Sequence, residues 1–265
     1  MRRLAAVAAL ALLAGCAPRT LKVCADPNNL PFSNRKGQGF ENRIAELVAK
    51  DLRRKVSYVW WAQRRGYVRN TLKERRCDLW PGVASGVEML ATTRPYYRST
   101  YVFVTRQDRN LDLSSFDDPR LKRLTVGVQM IGNDSQNTPP AHALARRGII
   151  DNVRGYMLYG DYDRPNPPAA IVEAVARGDI DAAVVWGPLA GYFAARSPVP
   201  LRLEPVHPWL DGPQWPMVFD ISMGVRKEDV KLRRRIEQAL ERERPRIDAI
   251  LAAYHVPRAD AGAAP

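Results

Sequence analysis

Residues 169–186 read Ala-Ala-Ile-Val-Glu-Ala-Val-Ala-Arg-Gly-Asp-Ile-Asp-Ala-Ala-Val-Val-Trp. The spacing predicts a helix over Ala169 to Ala176, stopped by Gly178-Asp179, then an apolar strand over Ile180 to Val185. Strands alternating with helices predict parallel α/β sheets covered by helices on their faces. The same alternation runs upstream: a strand at Leu124 to Val128, a helix at Ala141 to Arg147, a strand at Val153 to Leu158 and a Pro-rich loop at Arg164 to Pro168.

An equivalent unit occupies the first hundred residues. Leu21 to Ala25 is a strand, followed by the turn-rich loop Asp26-Pro27-Asn28-Asn29-Leu30-Pro31-Phe32-Ser33. Gly39 precedes a helix in which Ile44, Leu47, Val48 and Leu52 recur at helical spacing. Val56 to Trp60 is a strand, Tyr67 to Glu74 a helix, Cys77 to Val83 a third strand and Tyr101 to Thr105 another extended run. Two such units argue for two lobes. Lobe one is assigned to residues 20–105 plus 218–256 and lobe two to 110–210, with crossings near Arg106 to Asn110 and Pro213 to Val218. Lys227 to Tyr254 reads as helical with a break at Pro245, and 257–265 as a disordered tail.

Residues 1–16 read as a lipoprotein signal peptide. Arg2 and Arg3 precede an apolar run from Leu4 to Ala14, too short to span a bilayer, which ends in Leu13-Ala14-Gly15-Cys16. That ending resembles a bacterial lipobox, which implies lipidation of Cys16; the alternative is an ordinary secretory signal cut near Ala17. Both readings place the mature chain outside the cytoplasm. In an oxidising compartment Cys24 and Cys77 form either a disulfide between neighbouring strands or two buried thiols. His142, His207 and His255 lie far apart without metal-ligand spacing, so no metal is expected.

The chain carries 41 Lys and Arg against 28 Asp and Glu, a formal charge of +13. Such a surplus suits an acidic protein or an anionic surface, and no nucleic-acid-binding motif accompanies it. Nothing resembles Gly-x-Ser-x-Gly, His-Glu-x-x-His or a phosphate-binding loop. The expectation is therefore a protein that is not an enzyme and carries no cofactor.

Leu21 to Phe32, Gly39-Phe40-Glu41, Cys77-Asp78-Leu79, Arg94-Pro95-Tyr96-Tyr97, Val126-Gly127-Val128 and Gly178-Asp179-Ile180-Asp181-Ala182 resemble, in this order, the type II periplasmic solute-binding proteins of family 3. The resemblance implies a two-lobed α/β fold with parallel-rich sheets and a ligand cleft between the lobes. Cys24 to Pro31, Gly39 to Asn42, Arg69 to Leu72, Cys77-Asp78 and Arg94 to Ser99 further resemble the quinoprotein dehydrogenase-associated substrate-binding proteins. This subgroup includes accessory proteins encoded beside periplasmic PQQ-dependent methanol dehydrogenases. The implied function is an accessory role in maturation or activation of such a dehydrogenase. The alternative is the receptor of an ABC transporter for a small solute other than an amino acid.

Amino-acid binders of the family hold the ligand's carboxylate with an arginine after the third strand and its ammonium with an acid after the late strand of lobe two. Those places align here with Met89 and Trp186. Glu88 or Arg94 enters the cleft if the alignment slips. A cleft is expected beyond the carboxyl ends of the strands; its candidate lining is Asp26, Asn28, Phe32, Glu41, Trp80, Ser85, Tyr96, Asn133, Asp134 and Trp186. Several have a plainer role beside it. Trp80 and Tyr96 suit core packing, Asp26 a cap on its own turn, Glu41 the dipole of its helix, and Asn133-Asp134 a helix cap.

Overall fold

The computed structural model describes residues 20–131, 137–157 and 162–259. Strand β1, Thr20–Ala25, pairs in parallel with β2, Lys55–Trp60, in the register Thr20↔Lys55 to Ala25↔Trp60. Helix α1, Phe40–Asp51, connects them. Its buried side includes Ile44, Leu47 and Val48, as the helical spacing predicts. Gly39 precedes it because a Cβ there would overlap the Phe32 carbonyl. The segment read as a helix from Tyr67 to Glu74 is instead a short π-helical turn, Arg69–Lys73.

The larger sheet is built from β3 (Trp80–Ala84), β4 (Tyr97–Arg106), β5 (Val126–Met130), β6 (Val153–Met157), β7 (Ala182–Trp186), β8 (Leu201–Pro205) and β9 (Val218–Val225). Their order is β3-β9-β4-β7-β5-β6, with β8 also paired to β4. β7 lies parallel to β5 and β5 parallel to β6, but β4, β8 and β9 pair antiparallel. The sheet is therefore mixed. A covering helix returns the chain to a parallel neighbour, whereas β4 and β9 pass directly from one half of the molecule to the other.

The passage is visible in the register. Tyr97 to Thr100 of β4 pair with Ile221 to Val218 of β9, and Tyr101 to Thr105 pair with Trp186 to Ala182 of β7. The exchange of partners thus falls at Thr100–Tyr101, earlier than the crossing read from the sequence. Tyr101 N–H and the Thr100 hydroxyl both donate to the Met217 carbonyl, at 2.8 and 2.9 Å.

On the far side of the exchange, side chains alternate strictly between two cores. Tyr101, Phe103, Ala182 and Val184 face one with Leu113, Phe116, Val128 and Leu144. Val102, Val104, Ala183 and Val185 face the other with Ile171, Val175 and Leu189. Helices α2 (Pro139–Arg146), α3 (Ala170–Arg177) and α4 (Gly187–Ala194) cover these two faces. Burial on both faces explains the uninterrupted apolar runs. The first core in chain order lies on the near side and joins Leu21, Val23, Phe40, Ile44, Leu79, Tyr97 and Met223 to Ile236 and Leu251. The last two come from α5 (Val230–Arg242) and α6 (Arg244–Ala253), which meet at Glu243 with Pro245 in the first turn of α6.

The tail reading is corrected for residues 257–259. The Pro257 carbonyl accepts from the Ser99 hydroxyl at 2.6 Å, and Ala259, buried, donates its N–H to the Arg98 carbonyl at 3.1 Å. Residues 260–265 and residues 1–19, with the segment read as a signal peptide and Cys16, lie outside the described residues. Among the described residues no helix is long and apolar enough to cross a membrane.

Cys24 and Cys77 form a disulfide with Cα atoms 5.5 Å apart, and both residues are fully buried. Backbone bonds from Cys24 N to Leu79 O and from Asp78 N to Lys22 O, each 2.7 Å, hold the two segments side by side. The bridge closes a loop with a sequence separation of 53, which in the chain-entropy account contributes about 4 kcal/mol. Replacing both cysteines by serine should lower the unfolding free energy by about that amount, measured by urea denaturation of the purified chain.

Candidate functional site

The carboxyl ends of β1, β2, β3, β5 and β7 converge on one region. Asp26 follows β1 directly and is only 1% exposed. Its Oδ1 accepts from Asn28 N at 2.9 Å, which closes the Pro-Asn turn. Its Oδ2 accepts from Gln63 N at 2.8 Å and from the Tyr162 hydroxyl at 2.7 Å. The Ser33 hydroxyl donates to the Asp26 carbonyl and accepts from its N–H. Asp26 therefore caps its turn, ties down the loop after β2 and reaches a residue of the other half.

Two further contacts join the halves beside it. Asn28 Nδ2 donates to the Arg164 carbonyl at 2.8 Å. Phe32, half-buried and edge-on to Phe40 at 5.4 Å, packs against both the first core and the core around Ile171. The two halves are in contact over this mouth, through one side-chain pair, one backbone acceptor and one aromatic ring.

Behind Asp26 lies Glu41, in the first turn of α1 and 4% exposed. Its carboxyl occupies the space a side chain at Gly82 would need, since a Cβ there would overlap Oε1. Burial, and secondarily the Asp26 carboxylate, pushes the Glu41 carboxyl up from 4.5 to about 8. At neutral pH it is mostly protonated, so it is a hydrogen-bond donor rather than an anion. Tyr67 packs on Trp80 with ring centroids 4.9 Å apart, and its hydroxyl is pushed up by burial and by Glu41 and Asp26. Both the Tyr67 hydroxyl and the Trp80 Nε1–H are buried without a bond of hydrogen-bond geometry. A protonated Glu41 thus lies close to two buried polar atoms that lack a partner of hydrogen-bond geometry.

The remaining predicted residues separate. Tyr96 is 1% exposed in the first core and its hydroxyl donates to the Pro81 carbonyl at 3.0 Å, so it belongs to the packing and not to the cleft. The Ser85 hydroxyl is tied to Ser222 Oγ at 2.6 Å and to the Asp220 carbonyl at 3.1 Å. Trp186 ends β7 half-buried, edge-on to Tyr101 at 5.3 Å and to Phe219 at 5.8 Å. It packs against cores of both halves, and its N–H donates to the Gln129 side chain at 3.0 Å. Met89 is 52% exposed. Asn133 and Asp134 lie outside the described residues.

Sequence reasoning missed Tyr67, Gln63, Gly82, Gln129 and Tyr162. Gly82 carried a signal, a glycine inside an apolar strand pattern, where close approach of another group is the usual reason. Gln129 and Tyr162 carried none, because their partners lie 57 and 136 residues away. Among the described residues no three His, Cys, Asp or Glu side chains converge as a metal site.

The profile of the bacterial extracellular solute-binding proteins, family 3, matches residues 21–255. Protein MoxJ of Methylorubrum extorquens is 38% identical over 250 residues, 90% of this chain and 81% of that protein. The crystal structure of periplasmic binding protein XoxJ from Methylobacterium extorquens AM1 is 38% identical with a TM-score of 0.73, covering 91% of this chain and 99% of that one. That of MxaJ from Methlophaga aminisulfidivorans MPT is 28% identical with a TM-score of 0.75, covering 90% and 99%.

Glu41 generates a pH prediction. Between pH 4.5 and about 8 the folded chain retains a proton that the unfolded chain releases, so this contribution is full below 4.5 and is lost as pH rises through about 8. In Glu41→Gln the side chain is neutral throughout. The melting temperature of the variant should gain on that of the parent chain as pH is raised from 5 to 9. Parallel curves in thermal unfolding would show that Glu41 is not held protonated.

Proposed function

We propose, for a chain that belongs to the bacterial extracellular solute-binding proteins of family 3, a role as a periplasmic accessory protein of a PQQ-dependent methanol dehydrogenase. It uses the two-lobed scaffold to bind the dehydrogenase during its maturation or activation. Lobe one comprises residues 20–105 plus 218–256 and lobe two 110–210, with β4 crossing into lobe two from Tyr101 onward, and Cys16 carries a lipid anchor. Relatives over nearly the full chain, MoxJ, XoxJ and MxaJ among them, support this direction.

The observation that carries the reading is Trp186. It stands where an amino-acid binder of the family would present an acid to the ligand's ammonium, and its ring is packed on Tyr101 and Phe219. Met89, at the place of the carboxylate-binding arginine, offers no charge either. A zwitterion enclosed here would leave both its charges uncompensated, at a cost of several kcal/mol. The contacts from Asp26 to Tyr162 and from Asn28 to Arg164 bring the lobes together through the protein's own groups. The scaffold is thereby freed for a protein partner.

The processed chain, carrying Cys16→Ser, is to be mixed with apo and holo methanol dehydrogenase and followed by analytical ultracentrifugation. A complex with at least one form is expected, together with no thermal shift from a panel of amino acids. No complex with either form, combined with a clear thermal shift from a small solute, would replace this reading with transport.

A further inference from the structure

The positive surplus is concentrated. Residues 20–76 hold fourteen Lys and Arg against five Asp and Glu, and two of those acids, Asp26 and Glu41, are buried. In the second half many arginines are neutralised locally: Arg109 by Asp181, Arg120 by Asp112 and Asp118, Arg147 by Asp117 and Asp211, Arg177 by Asp179. Among the described residues, no carboxylate lies within ion-pair distance of Arg53, Arg54, Lys55, Lys231 or Arg235.

These five form one surface. β1 and β2 are parallel, so their carboxyl ends meet at the cleft and their amino ends lie at the opposite pole. There Lys55 is the register partner of Thr20, with Arg53 and Arg54 in the turn before it. The Arg235 guanidinium donates to the Leu52 carbonyl at 3.5 Å, which brings α5 to the same turn. Arg54, Lys231 and Arg235 line a surface hollow of about 480 Å³. Its two acids are already matched, Glu228 with Arg75 at 2.8 Å and Asp229 with Arg226 at 2.6 Å. Arg53 and Arg75 both hold positive φ, 55° and 53°, where glycine would sit without strain.

The occupant follows from position and chemistry. The hollow has no aromatic lining residue, whereas a protein interface is normally anchored by aromatic residues in an apolar centre. Long, unpaired cations suit the diffuse negative charge of phospholipid headgroups instead. Cys16 precedes Thr20 by four residues, an extended reach of at most about 14 Å. We propose that this basic pole, Arg53, Arg54, Lys55, Lys231 and Arg235, rests on an anionic phospholipid surface. An acyl chain on Cys16 supplies attachment, and the pole supplies orientation, turning the cleft and the lobe contact away from the membrane. The orientation rests on the lipoprotein reading; the affinity of the pole does not.

The test uses the processed chain with Cys16→Ser, which has no acyl group. It is sedimented with vesicles of phosphatidylethanolamine and phosphatidylglycerol, and with vesicles of phosphatidylcholine alone. Binding is expected to the anionic vesicles only and should weaken as salt rises. The triple variant Arg53→Gln, Arg54→Gln, Lys55→Gln should partition roughly 100-fold less, on the order of fivefold per cation. The charge-matched variant Lys122→Gln, Arg123→Gln, Arg154→Gln on the other half should bind as the parent does. Equal losses in the two variants would reduce the effect to net charge and overturn the proposal. So would absence of anionic-vesicle binding, or loss in the first variant of binding to the dehydrogenase alone. Intact mass of the native detergent-extracted protein reports acylation separately: an unacylated Cys16 overturns the anchor, while the vesicle result decides the pole.

Discussion

One ten-residue strand belongs to both halves of this molecule. β4 leaves β9 at Thr100 and joins β7 at Tyr101 without breaking, so its backbone must be satisfied on both sides of the exchange. The Met217 carbonyl does this by accepting the Tyr101 N–H, with the Thr100 hydroxyl as a second donor, while Tyr101 O accepts from Val206 N at 3.0 Å. A buried peptide group left unpaired here would cost as much as a lost hydrogen bond. The constraint gathers Tyr101, Trp186 and Phe219 into one cluster of mutually touching rings, and through them sets where the two halves meet. That one continuous strand supplies Tyr97 to the first lobe's core and Tyr101 to Val104, alternately, to the two cores of the second.

The cleft is organised by a second chain of dependence that starts at β1. Asp26 is held by the turn it caps, by Gln63 and by Tyr162, so the end of β1, the end of β2 and the far lobe share one carboxylate. Glycines at 39 and 82 let the chain close in behind it, the first against the Phe32 carbonyl and the second against the Glu41 carboxyl. Two carboxyls so near one another are tolerated because one stays protonated. This arrangement fixes shape and proton content at the end of β1. It also separates two surfaces of different character, a cleft built from shared hydrogen bonds and a pole of unpaired cations at the other end of β1 and β2.

Much of this was legible in the order of residues. The alternation of strands and helices, the paired cysteines at 24 and 77, the solute-binding resemblance over most of the chain and the placement of Asp26, Asn28 and Glu41 beyond β1 all follow from local periodicity and short motifs. These are properties of neighbouring residues, and neighbours are what a sequence displays. Tyr96 shows the limit, because an aromatic residue after Arg94-Pro95 reads equally as cleft or core, and only its bond to Pro81 assigns it to the core. The tail shows it too. Pro257 and Ala259 have the composition of a disordered end, yet they bond to Ser99 and Arg98, about 160 residues earlier in the chain.

By itself, then, the sequence determined the class of fold and the cysteine pair. Tertiary structure alone decided the partner exchange at Thr100–Tyr101, the antiparallel strands within a sheet read as parallel, the Glu41 seat at Gly82, the Tyr162 bond to Asp26 and the gathering of Arg54 with Lys231 and Arg235. The division has one physical cause. Periodicity records which face of an element is apolar, whereas the partner of that face, and the environment that sets a carboxyl's proton affinity, come from residues far away in the chain that meet only when it folds.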